Sequence, residues 1–331
     1  RVRHAWRQGF VAEAIDGFAR TELMDASGER HTGLLTGQDM AGWQATYEDP
    51  VTADFHGWTI CKTASWGQGP VLLQSLRLLE AAGIDGVDLS GADFIHLVLE
   101  AQKLAFADRE AYYGDPAFAD VPLTTLLSRD YARARAAWIG GSASTEIVPG
   151  IVPGFENQRA RSLAQVRVAT SEAAGIGIGE PTMMHLQATL KPGDTVHLDV
   201  IDRWGNLVSA TPSGGWPQSS PTVPGLGFAL NTRAQMFWLE PGLPGSLAPG
   251  KRPRTTLTPT LALHEGRPAL VCGTPGGDQQ DQWQLTYLLR TLLGGYTPQQ
   301  AIDAPALHTT SMPGSFWPRT WTPGGAVVED R

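Results

Sequence analysis

Helical spacing of apolar residues dominates the first half of the chain. Apolar positions recur every three or four residues over 10–18 and again over 94–105, which predicts two amphipathic helices, the second ending near Gly114. Thr-x-x-Asp at 36–39 and Ser-x-x-Asp at 90–93 each predict a capping box, in which the hydroxyl residue and the acid satisfy backbone N–H groups at a helix start. The first half is therefore predicted to be mainly helical.

The period becomes strand-like after Pro192. Alternating apolar and polar residues predict a hairpin over 195–211, turning at Asp-Arg-Trp-Gly-Asn, and a second hairpin over 259–273, turning at Glu-Gly. Helical spacing then returns in two segments, 278–293 and 298–304. The second half is thus predicted to combine antiparallel hairpins with helices.

A loosely patterned segment separates these two halves. Between Ile139 and Pro192 the chain is rich in Gly, Ser, Pro and scattered charges, and we place the boundary there. The Gly-Ile-Gly-Ile-Gly-Glu run at 175–180 has the glycines of a nucleotide loop. No strand precedes it and no Lys-Ser/Thr follows, so we predict no phosphate site there.

Charge and hydropathy exclude several classes of partner. The 25 basic and 33 acidic residues give a net charge of −8, and no Lys/Arg stripe could follow a phosphate backbone, so no nucleic acid is expected. No apolar run reaches the roughly 18 residues of a membrane helix, so no membrane partner is expected. The chain begins at Arg1, and we expect a preceding segment. The compartment stays open, with the cytoplasm favoured.

Cysteine and histidine usage offers no metal or cofactor site. Cys61 and Cys272 both lie in strand-like apolar surroundings, which predicts inert core thiols rather than a disulfide framework. The eight histidines form neither HxxxH nor HxH, so no metal is predicted. No cofactor is predicted either.

Three segments of the second half carry groups that can cleave an amide. Thr195 follows Asp194 at the entrance of the first predicted hairpin, a polar run ending in two threonines spans 251–256, and Gly-Thr-Pro-Gly-Gly spans 273–277. A threonine at a free N-terminus carries its own base, because an α-amine with a pKa of about 7.7 to 8.0 can accept the hydroxyl proton. Taken singly, a threonine in a strand and glycines in a turn are ordinary.

The two glycines that end the third segment are candidates for an oxyanion hole. Successive backbone N–H groups at a strand-to-helix turn can point at an anion, and glycine lets a ligand approach because it has no Cβ. Gly276 and Gly277 stand at such a predicted turn.

Several longer motifs follow one another along the chain. They are Asp-Arg-Glu-Ala-Tyr-Tyr-Gly-Asp-Pro at 108–116, Thr-x-His-x-x-Val-x-Asp-x-x-Gly-Asn at 195–206, Pro-Gly-Lys-Arg-Pro at 249–253, Gly-Thr-Pro-Gly-Gly at 273–277, and Ala-Ile-Asp-Ala-Pro at 301–305 with His308. This ordered set resembles the gamma-glutamyltransferase family of N-terminal-nucleophile (Ntn) hydrolases, and the match runs nearly end to end.

This resemblance implies a fold and a division of the chain. The fold class would be α+β, a four-layer αββα sandwich of the Ntn-hydrolase type. Residues 1–194 would be the C-terminal portion of the large subunit, with a helical layer and a linker, and 195–331 the small subunit. The two would form one Ntn-hydrolase domain, cut by the precursor itself between Asp194 and Thr195. The N-terminal part of the family fold, with an arginine that binds the substrate carboxylate, would be absent.

The resemblance also implies roles for individual residues. Thr195 would be the nucleophile, and Ser213 the second hydroxyl that hydrogen-bonds it. Gly276 and Gly277 would be the oxyanion donors. Thr255 and Thr256 would replace the family's serine pair, which holds the substrate's α-carboxylate.

Departures from the family pattern concern the substrate's α-amine. Gly215 stands where the family commonly has Asn, and Arg233 and Met236 stand where it has Gln and Asp. A cation beside an ammonium repels it, and a thioether is a weak acceptor. The sequence therefore resembles a divergent transferase-like branch of the family, with a rebuilt amine pocket.

The function implied is cleavage of a γ-glutamyl or related acyl amide through an acyl-enzyme on Thr195. The partners would be a small amide substrate, with water or an amino acid as acceptor, and the two subunits of one precursor, while a homo-oligomer stays open. One alternative is an acylase for amides lacking an α-amine, with a glutaryl or short dicarboxylic acyl group. Another is a non-catalytic binding module, against which the retained set of site residues argues.

Two polar pairs are expected to have structural roles, and the role of two tryptophans is left open. His197 and Asp199 alternate with Thr195 on one strand face, which permits a His-Asp dyad, although a hydrogen-bonded framework is favoured when a free amine supplies the base. Asp108 and Arg109 are predicted to form ion pairs at a helix end. For Trp317 and Trp321, pocket lining and simple packing both stay open.

Overall fold

The computed structural model describes residues 1–24, 28–172, 195–215, 220–316 and 319–330, without the side chains of 167–172. Asp194, the glycine run at 175–180 and Trp317 lie outside the described residues. Two compact units are present, Arg1–Glu48 with Gly214–Thr232, and Asp49–Ser213 with Arg233–Arg331. The division into subunits at 194/195 concerns a cut in the chain, and it stays a prediction.

The first unit is a small helical cluster. Its core joins Val11 and Ile15 to Val223. The predicted capping box at Thr36 is confirmed, with Asp39 N donating to Thr36 Oγ1 at 3.2 Å and Thr36 N donating to Asp39 Oδ2 at 2.9 Å. Its elements are α1 (Val2–Gln8), α2 (Phe10–Ala19), β1 (Leu23–Met24), β2 (Arg30–His31) and α3 (Gly37–Gly42).

The second unit combines helices with antiparallel strands. Both predicted hairpins and both predicted C-terminal helices are confirmed. Its elements are β3 (Val51–Phe55), β4 (Trp58–Lys62), α4 (Gly69–Ala82), α5 (Ala92–Tyr112), α6 (Leu123–Leu126), α7 (Arg129–Ala136), α8 (Glu156–Glu172), β5 (Leu198–Ile201), β6 (Leu207–Ala210), β7 (Thr260–His264), β8 (Arg267–Cys272), α9 (Gln279–Leu292), α10 (Pro298–Asp303), β9 (Leu307–Thr309) and β10 (Ala326–Val328).

A four-stranded antiparallel sheet organises the second unit. Its order is β3-β4-β7-β8, so the two hairpins lie side by side although about 200 residues separate them in the chain. Helix α4 packs on β3 and β4 and also contacts α5 and α9. Leucines of α4 and aromatic residues of α5 are fully buried there, and burial of each such side chain contributes about 1.5 to 3 kcal/mol.

One expectation for the first half is wrong. Ser90 and Asp93 form no capping box, since α5 begins at Ala92 with Gly91 as its N-cap. The Ser90 hydroxyl donates to the Asp88 carboxylate at 2.7 Å instead, a nearer partner that competes with capping. The loosely patterned segment contains α8, which has no apolar stripe by which periodicity could reveal it.

The cysteines lie in strands, as expected, and both are free. Each is partly exposed rather than fully buried. Burial of the sulfur raises the pKa of Cys272 to about 12, so that thiol is a poor nucleophile at neutral pH. Among the helices described, none is long and apolar enough to cross a membrane.

A buried histidine makes the stability of the fold depend on pH. His308 of β9 accepts a hydrogen bond from Trp283 Nε1 at 3.3 Å, and burial lowers its pKa from 6.5 to about 4. The unfolded chain binds a proton here below about pH 6.5, whereas the folded protein resists it down to about pH 4. The free energy of unfolding therefore falls by about 3 kcal/mol as the pH drops from about 6.5 to about 4, because the unfolded chain takes up a proton that folded His308 does not.

We expect His308→Gln, which keeps an acceptor for Trp283, to flatten the decline in the free energy of unfolding between pH 6.5 and pH 4. Urea unfolding of both proteins across that range measures the difference, and other titrating groups cancel in the comparison. Parallel curves for the two proteins would contradict the assignment.

Candidate active site

The turn of the hairpin β5–β6 fixes which residues face each other at its open end. Asp202 Oδ1 accepts hydrogen bonds from the N–H groups of Trp204 and Asn206, both at 2.9 Å. Gly205 adopts a φ of +82°, which favours glycine because other side chains clash there. The turn therefore sets the register from local sequence alone.

That register places Thr195 opposite Ser213. β5 and β6 pair in antiparallel register, and the pairing continues past β5, where Val196 N donates to Pro212 O at 3.2 Å. One residue further, Thr195 Oγ1 donates to Ser213 Oγ at 2.9 Å. The two hydroxyls that the resemblance assigned to nucleophile and partner are thus in direct contact.

The same face of the hairpin carries a polar framework. His197 hydrogen-bonds through Nδ1 to Thr211 Oγ1 at 2.8 Å, and its Nε2 lies 2.9 Å from Asp199 Oδ2. Ser209 Oγ donates to the last carbonyl of β8 at 3.2 Å. A Cβ on Gly273 would collide with the His197 ring, so glycine is needed for the hairpin to approach β8. These bonds support the framework role of His197. The opposite face is apolar and exposed at Val196, Leu198, Val200 and Val208.

Arg233 joins the hydroxyl pair to the threonine pair. Arg233 and Met236 are the ends of one short helical turn, Arg233–Met236, and both are buried. The guanidinium donates from Nη2 to Ser213 Oγ at 2.8 Å and from Nη1 to Thr256 Oγ1 at 3.3 Å, with Met236 Sδ 3.5 Å from Nη1. A full positive charge thus lies within two hydrogen-bond lengths of Thr195 Oγ1.

The two threonines differ in their surroundings. Thr256 is fully buried and faces Arg233, as its hydrogen bond shows. Thr255 Oγ1 instead accepts from Leu257 N at 2.9 Å, while its own N–H donates to Trp66 O at 2.8 Å. Thr256 is therefore linked to Thr195 through Arg233 and Ser213. Thr255 instead stabilises the local backbone and still has a hydroxyl proton to donate.

The glycine turn between β8 and α9 carries the two residues predicted to be oxyanion donors. Gly276 has a φ of +125°, which favours glycine. Its carbonyl accepts from the Gln280 side chain, and the carbonyl of Gly277 accepts from Gln280 N at 3.1 Å and Gln68 Nε2 at 3.5 Å. Within the described part of the chain, the N–H groups of Gly276 and Gly277 donate to no acceptor. Two backbone donors therefore stay available at this turn.

Gly215, the last of the candidate residues, belongs to the first compact unit, where it has a φ of +88°. The remaining candidates, Thr195, Ser213, Arg233, Met236, Thr255, Thr256, Gly276 and Gly277, all lie in the second unit.

Sequence reasoning missed three buried charged residues near these segments, Arg254, Asp278 and Arg319. Asp278 follows the glycine turn, and Arg254 precedes the threonine pair. Asp108 and Arg109 form ion pairs at the end of α5, as predicted, with Arg135 and with both Glu110 and Asp278. Arg254 and Asp278 could have been found from the sequence, because each is a charged residue directly beside a candidate motif.

The layout of this unit, with a threonine hydroxyl at the start of a hairpin, a second hydroxyl facing it and a glycine turn beyond, is the one expected of an Ntn hydrolase. A family model described as Gamma-glutamyltranspeptidase matches residues 4–322, and the chain belongs to that family. The predicted fold class, an α+β sandwich of the Ntn-hydrolase type, is confirmed by the solved structures that the chain resembles.

Similar proteins carry several names. The Acylase ACY 1 proenzyme of Pseudomonas sp. (strain SE83) is 30% identical over 313 residues, which are 94% of this chain and 47% of that protein. The solved structure of LmbA2991HD is 52% identical with a TM-score of 0.85, covering 99% of this chain and 54% of the other. A cephalosporin acylase from Bacillus halodurans is 28% identical with a TM-score of 0.69, covering 92% and 47%. The chain spans about half the length of the curated relatives it matches.

Proposed function

We propose that the complete protein is an amidohydrolase that forms an acyl-enzyme on Thr195, after cleaving its own chain between Asp194 and Thr195. The observation that carries this proposal is the 2.9 Å hydrogen bond between Thr195 Oγ1 and Ser213 Oγ, in a chain of the gamma-glutamyltranspeptidase family. A second hydroxyl oriented on the first holds it in one rotamer, as attack on a carbonyl requires.

Self-cleavage creates the base that catalysis needs. Thr195 Oγ attacks the carbonyl carbon of Asp194, the Oγ proton passes to the departing nitrogen as the C–N bond breaks, and the acyl group moves from nitrogen to oxygen as an ester. Water then hydrolyses this ester, which releases a carboxylate at Asp194 and a free α-amine at Thr195. The freed amine has an ordinary pKa of about 7.7 to 8.0, and its neutral form can accept the Oγ proton.

Substrate cleavage repeats this chemistry on an external amide. The α-amine of Thr195 takes the Oγ proton while Oγ attacks the acyl carbon, and the oxyanion receives hydrogen bonds from the N–H groups of Gly276 and Gly277. The proton passes to the departing amine as the C–N bond breaks. Water then attacks the ester and releases the acid, or an amino acid takes the acyl group instead.

The surroundings of Thr195 favour an acyl group that carries a carboxylate and lacks an α-amine. Arg233 and Thr256 offer a guanidinium and a hydroxyl to a carboxylate. An ammonium in the same place would meet a buried cation and the thioether of Met236, and unpaired burial of such a charge costs several kcal/mol. The acylase alternative, with a glutaryl or shorter dicarboxylic acyl group, therefore gains support over the γ-glutamyl alternative.

A pair of anilides that differ only in the α-amine tests this function. We expect kcat/KM for the glutaryl anilide to exceed that for the γ-glutamyl anilide on the complete, matured protein. Arg233→Gln should move the ratio toward the γ-glutamyl substrate by about tenfold, or 1.4 kcal/mol in transition-state binding.

The matched control for that comparison is Arg203→Gln, which removes an exposed arginine from the hairpin turn. It should leave the ratio unchanged. A γ-glutamyl preference of tenfold or more in the unaltered protein would show that the interpretation of Arg233 and Met236 is wrong, while leaving the acyl-enzyme itself intact.

A further inference from the structure

Four buried charges form an ion cluster between the two segments assigned to substrate. Arg109 and Glu110, at the end of α5, are its centre, with Arg109 Nε donating to Glu110 Oε1 at 2.9 Å. Arg254 and Asp278 complete it. All four side chains are at most 5% exposed. Such ion pairs give little net stability because desolvation offsets their attraction, so their placement is better explained by what they hold in position.

One branch of the ion cluster holds the threonine pair. Arg254 Nη2 donates to Glu110 Oε1 at 2.7 Å, and its Nη1 donates to Arg109 O at 3.1 Å. Both arms of this guanidinium are therefore fixed on α5. Thr255 is the next residue along the chain, so these two hydrogen bonds of Arg254 fix the position of the segment that carries Thr255 and Thr256.

The other branch holds the glycine turn. Arg109 Nη1 pairs with Asp278 Oδ1, and Asp278 is the residue after Gly277. Ser315 donates to the same carboxylate twice, from Oγ to Oδ1 at 2.6 Å and from its N–H to Oδ2 at 2.7 Å. Arg109 Nη1 also reaches Gln68 Oε1 at 2.9 Å, and Gln68 Nε2 in turn contacts the Gly277 carbonyl.

We propose that Arg109 and Glu110 are positioning residues that set the two substrate segments separately, the Arg254 branch governing substrate binding and the Asp278 branch governing the chemical step. This inference rests on the proposed function. Thr255 and Thr256 hold the substrate carboxylate in ground state and transition state alike, so displacing them raises KM. Gly276 and Gly277 meet charge that develops only in the transition state, so displacing them lowers kcat.

Two mild substitutions separate the branches. Arg254→Lys keeps the positive charge but loses the two-armed guanidinium. We expect KM to rise about tenfold, with kcat changed by no more than about twofold. A tenfold effect is smaller than the roughly 10²-fold loss that a misplacement of 1 Å can cause. Ser315→Ala removes one hydrogen bond to Asp278 and leaves every charge, and we expect kcat to fall about tenfold with KM within about twofold. The double variant should show both changes, because Arg254 contacts α5 whereas Ser315 contacts Asp278.

Matched controls are Arg129→Lys and Ser90→Ala, which alter an exposed arginine and an exposed serine hydroxyl outside the ion cluster. Both should leave kcat and KM unchanged. If Arg254→Lys and Ser315→Ala change kcat and KM in equal measure, or lower only the melting temperature, the separate positioning roles are overturned.

Calorimetry with glutarate distinguishes this inference from the proposed function. Arg254→Lys should raise the Kd of glutarate about tenfold, while Ser315→Ala should leave that Kd unchanged. Neither measurement depends on turnover. Equal Kd values in all three proteins would overturn the binding branch. Activity that survives Thr195→Ala would instead overturn the proposed function, while the calorimetric comparison would still decide the positioning roles.

Discussion

Replacing Thr195 by alanine is expected to leave the complete protein as one uncleaved chain and to abolish its amidase activity. The substitution removes the Oγ that attacks the carbonyl of Asp194 and also the nucleophile for the substrate. Because cleavage fails, the α-amine stays locked in a peptide bond, and the base is lost together with the nucleophile. We expect kcat to fall by roughly three orders of magnitude or more, the range seen when a catalytic nucleophile is removed.

A denaturing gel measures the first effect and an anilide assay the second. The natural protein should give two fragments, and the mass of the smaller should match a chain that begins at Thr195. Thr195→Ser is the matched control, because it keeps a hydroxyl opposite Ser213 and should still cleave. Two fragments of unchanged mass in Thr195→Ala would refute the assignment of the nucleophile.

The second large effect is expected at the glycine turn. Gly277→Val places a branched side chain beside the proposed oxyanion donors, within a turn whose carbonyls are already fixed by Gln68 and Gln280. Loss of one oxyanion donor costs about 2.7 to 4 kcal/mol, or on the order of 10² to 10³ in kcat. We expect a loss of this size with self-cleavage and KM much less affected.

Steady-state kinetics on the purified variant, with circular dichroism to verify folding, measures this loss. Gly141→Val is a suitable control, because a Cβ at this exposed position meets nothing within 4 Å. An unchanged kcat in a well-folded Gly277→Val protein would place the oxyanion elsewhere.

Local sequence was sufficient for the elements that carry the site. The alternation on either side of Asp202 and Gly205 predicts the hairpin, and the family resemblance assigned the nucleophile and its partner hydroxyl to Thr195 and Ser213, which the hairpin register brings together. The glycine turn likewise follows from a strand, a Gly-Thr-Pro-Gly-Gly run and a helix in succession. Motif order predicted the family and fold class, which the family match and the solved structures confirm. These features were accessible because each depends on residues close together in the chain.

Only the tertiary structure decided which charges meet around those elements. The sequence suggested that Arg233 repels an amine, whereas its contacts with Ser213 and Thr256 appeared only when segments up to 23 residues apart were folded together. The ion cluster joins Arg109 to Asp278 across 169 positions, and Glu110 to Arg254 across 144. Periodicity reports which face of a helix or strand is buried, but it carries no information on the buried partner. Pairing of charges is set by packing between distant elements, so it must be read from the fold.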